Sequence, residues 1–227
     1  DTMKAVVTGT SSGLGKSLVT AFKRVGYETI GIRRSKSPET DYLCNFQSNE
    51  QIKQTFEKLL SDTKSIDYLI LNAGILGTIE KASKINNLEL AETFQVNLFS
   101  NKLMLDLIIN SNTELKNVIL ISSGASLKAY DGWLSYCLTK SCINQLSRCY
   151  ALENPSTKFL SLAPGIIQTK MQDQIIKNSE LLFSSISKFK SLYNKNPTPD
   201  FIANKIVNNL HALRQLESGD YFDLRSI

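Results

Sequence analysis

Three residues have the types and spacing needed to hand a proton to a carbonyl oxygen. Tyr136 and Lys140 are four apart, so on a helix their side chains share a face. Ser123 lies upstream, just past an apolar run. A free phenol has a pKa of about 10, and a nearby ammonium favours the phenolate. Lys140 would thereby make Tyr136 a usable proton donor to a developing alkoxide. Ser123 would hydrogen-bond the same oxygen. Together they would stabilise charge that appears only as a hydride arrives.

A second group of residues suits phosphate. Thr8 to Gly15 reads T-G-T-S-S-G-L-G, between a first strand and a first helix. A dinucleotide's pyrophosphate sits at such a place in an open α/β sheet. Gly9 permits the tight turn, Gly13 close backbone approach, and Gly15 helix–strand packing. Ser11 and Ser12 add hydroxyl donors, and Leu14 completes the turn. The helix N-terminus supplies N–H groups and partial positive charge. Arg33 and Arg34 end the second strand, where an acidic residue would take a ribose 2′-hydroxyl and Arg a 2′-phosphate. No Asp or Glu follows until Glu39, which argues for NADP over NAD.

These residues need a scaffold, and the apolar pattern supplies one. Strands are expected at 4–8, 28–32, 41–44, 66–71, 117–121, 158–162 and 220–224. Helices are expected at 16–25, 48–60, 87–109, 135–152 and 199–216, with 166–196 helical or irregular. Alternation of strand and helix predicts one α/β domain over 3–227, a doubly wound parallel sheet with helices on both faces. Asp1 and Thr2, ahead of Met3, are left out of this argument. About eight residues separate strands two and three, and a parallel crossover needs about a dozen or more. The helix there must be very short or missing.

Composition narrows the function. Hydrophobic residues make up 42% and charged residues 21%, which is ordinary for a globular chain and excludes bulk disorder. The +5 net charge is spread along the chain rather than gathered in a stripe, so no nucleic-acid partner is expected. No apolar run reaches the ~18 residues of a membrane span. The start shows no secretory signal, and four cysteines without C-x-x-C spacing read as thiols of a reducing, cytoplasmic compartment. The single histidine, His211, and the absence of ligand spacing argue against a metal.

Taken together, the motifs resemble those of the short-chain dehydrogenase/reductase family. Thr8-Gly9-x-x-x-Gly13-x-Gly15, Asn72-Ala73-Gly74, Asn97, Ser123, Tyr136-x-x-x-Lys140 and Pro164-Gly165-x-x-x-Thr169 fall in the family's order along essentially the whole chain. The resemblance implies a Rossmann-type fold of about seven strands. It implies Tyr136 as catalytic acid, Ser123 on the substrate carbonyl, Lys140 also on the nicotinamide ribose, and Asn97 in a water-linked proton relay. Asn72, Ala73 and Gly74 would border the adenosine side. Pro164, Gly165, the Ile167 backbone and Thr169 would hold the carboxamide end. Asn45 stands where many members place an Asp facing the adenine, and Ser12 where many NADP users place a basic residue.

A closer likeness is to the sepiapterin reductase and benzil reductase branch. It rests on Gly132-Trp133-x-x-Tyr136-Cys137, on Thr169-x-Met171-Gln172, and on Ser218-Gly219 with Asp223. This branch implies Asp223 as a pterin anchor, with Trp133, Met171 and Gln172 in the substrate pocket under a lid at 166–196. The expected activity is NADPH-dependent reduction of a ketone or diketone, with Tyr136 as proton donor. Three alternatives stay open: an aldehyde, an acyl thioester, or a non-catalytic NADP(H)-sensing protein. The family also implies a homodimer or homotetramer through the helices at 90–110 and 135–152.

Overall fold

The computed structural model describes residues 2–36, 41–177 and 183–227. Seven parallel strands form one sheet in the order β3-β2-β1-β4-β5-β6-β7. They are β1 (Lys4–Thr8), β2 (Glu28–Arg33), β3 (Tyr42–Leu43), β4 (Ser65–Leu71), β5 (Glu114–Ile121), β6 (Lys158–Ala163) and β7 (Tyr221–Asp223). The central strands are nearly continuous apolar runs because both of their faces are covered. The chain leaves β1 in one direction for β2 and returns on the other side as β4. That reversal opens a crevice at the carboxyl ends of β1 and β4.

Helices close both faces. On one side lie α1 (Gly13–Arg24), α8 (Pro199–Asn208) and α9 (Leu210–Gln215). Leu18 and Phe22 of α1 pack with Ile202 and Ile206 of α8 over Val7 and Ile70. On the other side lie α2 (Asn49–Ser61), α4 (Ser100–Ile109) and α5 (Leu134–Glu153). Phe56, Met104, Ile108 and Ile143 pack there over Val6, Leu69 and Leu120. Phe22, Phe56 and Phe159 are wholly buried, each contributing roughly 2 kcal/mol.

Two stretches differ from the sequence expectation. The helix expected at 87–109 is continuous but widens into a π-helical turn at Gln95–Phe99 between α3 (Asn87–Phe94) and α4. The helix expected at 199–216 breaks at Asn209, which caps α8 and bonds back to the Lys205 carbonyl at 2.7 Å. Hydrophobic periodicity reports a face and is blind to one inserted residue or a one-residue cap. The scarcity of chain between β2 and β3 is as expected, and no helix lies there among the described residues. Asp41 accepts from Gly31 N at 2.7 Å, so a side chain reinforces this two-residue edge pairing.

A third apolar cluster lies over the carboxyl edge of the sheet. It joins Leu76, Trp133 and Tyr136 to Ile175 of α6 (Lys170–Ile176) and to Phe183, Ile186 and Phe189, the last two on α7 (Ser184–Leu192). The lid expected at 166–196 includes α6 and α7, apart from 178–182, which lie outside the described residues. Asp131 ties α7 down. Its carboxylate accepts from Ser184 N at 2.7 Å, Ser185 N at 2.9 Å and Ser184 Oγ at 3.1 Å. Burial alone would raise the Asp131 pKa, but these bonds outweigh it and hold the carboxyl below its usual value. Gly132, at φ +85°, leaves room for the Phe183 ring, which a Cβ would meet at 2.9 Å. Losing the Asp131 cap should cost about 1 kcal/mol. Asp131→Ala is therefore expected to lower Tm by ~2–4 °C and to speed tryptic cleavage at Lys188. Unchanged Tm and cleavage would contradict this account of α7.

Candidate active site

The crevice is a cleft of about 890 Å³. Its two ends are built from different chemistry, and the glycine turn forms one of them. Gly9 takes φ +73° and Gly13 φ +59°, which only glycine adopts at low cost. A Cβ on Gly15 would lie 2.2 Å from the Gly9 carbonyl and 2.6 Å from Asn72 Nδ2, so α1 presses directly on the turn. Asn72 Nδ2 donates to the Thr8 and Gly9 carbonyls at 3.2 and 3.3 Å. The side chain of Asn72 therefore braces the turn, while Asn72, Ala73 and Gly74 all border the cleft.

This end fits a dinucleotide. α1 begins at Gly13 with no side-chain cap from Ser12 and no acidic residue in its first turn. By contrast α2, α3 and α8 are capped by Ser48, Asn86 and Thr198. The first N–H groups of α1 thus lack a side-chain acceptor, and the helix dipole favours an anion beside them. Gly9, Ser11, Ser12, Gly13, Leu14, Arg34 and Asn45 line the cleft here.

The two arginines part company. Arg33 is only 4% exposed, and its Nη1 donates to the Thr10 carbonyl at 3.3 Å. It supports the turn from behind and does not line the cleft. Arg33 is the last residue of β2, and Arg34 follows it just beyond the strand. Arg34 is exposed and lines the cleft. Asn45 is on the cleft wall, but its Oδ1 already accepts from Gln47 N at 3.1 Å.

At the other end stand Ser123, Tyr136 and Lys140, all lining the cleft. Ser123 and Tyr136 stand side by side there, and the Ser123 hydroxyl favours the Tyr136 phenolate. Burial pushes Tyr136 up to about 12, opposed by the Ser123 hydrogen bond. Burial pulls Lys140 down to about 8. Its Nζ donates to the Ile121 carbonyl at 2.8 Å and lies 5.6 Å from the centre of the Tyr136 ring. Desolvation thus outweighs the expected ammonium effect on Tyr136. At neutral pH the phenol keeps its proton while Lys140 is mostly charged.

Asn97 sits in the π turn, which aims its amide at the loop after β4. Its Oδ1 accepts from Ile75 N, and its Nδ2 donates to Ile75 O, both at 2.8 Å. Nδ2 also donates to Thr139 Oγ1 at 3.0 Å. Asn97 is not among the cleft-lining residues. A Cβ on Gly74 would lie 3.4 Å from Asn97 Oδ1 and 3.7 Å from Lys140 Nζ, so both atoms flank the same glycine. Pro164, Gly165, Ile167, Thr169, Met171 and Gln172 form the opposite wall.

Aromatic rings shape the remaining space. Trp133 stacks on Phe189 at 4.7 Å between centroids and meets Tyr136 edge-on at 5.9 Å. Tyr130 packs against both Trp133 and Phe189. Asp223 also lines the cleft, but its carboxylate is held by Arg225. Arg225 Nε lies 2.9 Å from Oδ1, and Nη2 lies 2.5 Å from Oδ2. The Arg225 hydrogen bond holds the Asp223 carboxyl below its usual range. Phe189 falls within the lid expected at 166–196, whereas Tyr130, Tyr221 and Arg225 escaped the sequence reading. The last two flank Asp223 in sequence, but nothing in spacing marks them as wall residues. Among the described residues no group of three or more His, Cys, Asp or Glu could hold a metal, and no helix is long and apolar enough to cross a membrane.

Comparison with known proteins agrees with this construction. The chain is 29% identical to the benzil reductase ((S)-benzoin forming) of Bacillus subtilis, over 97% of each chain. It is 31% identical to the sepiapterin reductase of Rattus norvegicus, over 74% of this chain and 75% of that one. A crystal structure of a short chain dehydrogenase/reductase from Saccharomyces cerevisiae has the same fold. Its TM-score is 0.87 at 23% identity, over 98% of this chain and 96% of that one. The short chain dehydrogenase pattern matches residues 3–180, which hold the glycine turn, Ser123, Tyr136 and Lys140. The chain belongs to the short chain dehydrogenase family, oxidoreductases that use NAD(P)(H).

Proposed function

We propose that this protein is an NADPH-dependent reductase of aromatic ketones and vicinal diketones. The observation that carries the reading is the grouping of Ser123, Tyr136 and Lys140 in one aromatic-walled cleft continuous with the glycine turn. The named activities of the Bacillus and rat relatives support carbonyl reduction. Arg34, with Ser11 and Ser12, would hold the 2′-phosphate and pyrophosphate. Lys140 would hold the nicotinamide ribose, and Ile167 and Thr169 the carboxamide. The bound nicotinamide supplies the hydride.

The chain's own groups do the rest. Tyr136, protonated and desolvated, gives its proton to the substrate oxygen as negative charge builds there. Ser123 holds that oxygen in a second hydrogen bond. Charged Lys140 stabilises the phenolate left behind, an effect that grows as the lid excludes water. Trp133 and Phe189 offer flat apolar faces to an aromatic substrate.

A diketone fits this cleft better than a pterin. A pterin's amino and ring N–H groups need an acceptor, and Arg225 already draws on both oxygens of Asp223, which weakens it as a pterin anchor. We further read the protein as a cytoplasmic homodimer or homotetramer. Exposed Phe99, the last residue of the π turn, and Leu138 and Leu152 on α5 support that association.

Three expected outcomes test this. With NADPH, benzil should be reduced at least tenfold faster, by kcat/KM, than sepiapterin. Arg34→Ala should raise KM for NADPH about tenfold and leave that for NADH nearly unchanged. Preference for sepiapterin, or an Arg34 variant indifferent between cofactors, would contradict the reading. The third outcome follows from Lys140. Its ammonium is present below a pKa of about 8 and lost above it. Reduction should therefore be flat at lower pH and fall from near pH 8. A profile flat to pH 10 would remove Lys140's charge from the mechanism.

A further inference from the structure

Ser123 stands on a loop between β5 and α5, and its hydroxyl is useful only if that loop is fixed relative to Tyr136. The helix carrying Tyr136 and Lys140 carries Asn144 one turn further on. All three side chains therefore share one face. Asn144 is 4% exposed, and both ends of its amide are spent on the Ser123 loop. Its Oδ1 accepts from Ser122 Oγ at 2.6 Å. Its Nδ2 donates to Ser126 Oγ at 2.8 Å. Ser126 Oγ in turn donates to the Ser123 carbonyl at 2.6 Å.

The protons in this network have one consistent arrangement. A serine hydroxyl has a single proton, and that of Ser126 is committed to the Ser123 carbonyl. Ser126 Oγ can therefore only accept from its neighbours, which forces the NH₂ side of Asn144 toward it. The carbonyl side then faces Ser122, whose own proton it receives. An isosteric carboxylate at this place would break the pattern. It could still accept from Ser122, but it would draw the Ser126 proton away from Ser123.

We propose that Asn144 is a positioning residue that fixes the Ser123 hydroxyl against Tyr136, so that one helix face sets the proton donor, the charge beside it and the second hydrogen bond to substrate. The inference rests on the reading that Ser123 and Tyr136 act together on a carbonyl oxygen. Misplacing an aligned group by less than about 1 Å costs up to about 100-fold in rate.

The test uses Asn144→Asp, Ser126→Ala and the double variant, on a diketone that the wild-type enzyme reduces. Each single variant is expected to lower kcat roughly 10- to 100-fold, with KM and NADPH affinity within about threefold. The double variant should be little worse than either, because both changes remove the same prop. Ser126→Ala removes only one hydroxyl oxygen and keeps the question open to test if Asn144→Asp folds poorly. A substrate-independent arm follows the ¹³Cζ resonance of Tyr136 in tyrosine-labelled protein, assigned as the peak missing from Tyr136→Phe. A displaced Ser123 hydroxyl should move it in both variants. A kcat within twofold of wild type, an unmoved resonance, or a kcat loss matched by lost NADPH affinity would overturn the proposal. Failure of the wild type on every ketone would instead count against the carbonyl-reductase reading, and the resonance alone would then decide the role of Asn144.

Discussion

The structure turns on one costly arrangement, a lysine ammonium held out of water beside a buried phenol. Lys140 is 6% exposed and Tyr136 8%. Burial works against charge on both, pulling the lysine down to about 8 and pushing the phenol up to about 12. A buried charge is tolerable only where polar groups are fixed around it. Much of the nearby backbone irregularity serves that need. The Ile121 carbonyl at the end of β5 accepts from Lys140. Gly74 leaves space between Lys140 and Asn97. The π turn presents Asn97 to the loop that Gly74 belongs to. Stability is given up here for a proton donor that is loaded, dry and adjacent to a positive charge.

The same arrangement ties the two ends of the cleft together. Asn72 braces the glycine turn and leads directly into Ala73 and Gly74. Asn97 holds Ile75 on the far side of that short run. A displacement at the turn is thus carried within three residues to the wall beside Lys140. From the opposite side, Asn144 joins the Ser123 loop to the helix of Tyr136 and Lys140. The site is therefore assembled from strand ends that rigid packing keeps in register, which is why the open α/β sheet suits it.

Much of this was legible in the residues and their order. Continuous apolar strands, the glycine turn and the shared face of Tyr136 and Lys140 are local patterns, and local patterns survive in a sequence. What escaped depends on tertiary direction. Arg33 and Arg34 look equivalent until β2 ends between them, leaving one under the turn and the other at the cleft. The π turn costs one residue of helical phase, which periodicity over 87–109 does not resolve. Asp223 reads as a free acceptor until Arg225, two residues on, folds back across it. The expected lowering of the Tyr136 pKa by Lys140 was overtaken by desolvation, a quantity that spacing does not contain.

The central claim is that Tyr136 supplies the proton and has little part in holding the nucleotide. Steady-state reduction of benzil and NADPH affinity by fluorescence titration, compared in wild type and Tyr136→Phe, separate these roles. The account predicts a fall in kcat of about a hundredfold or more, with NADPH affinity changed by less than about fivefold. Turnover near the wild-type rate in Tyr136→Phe would contradict it.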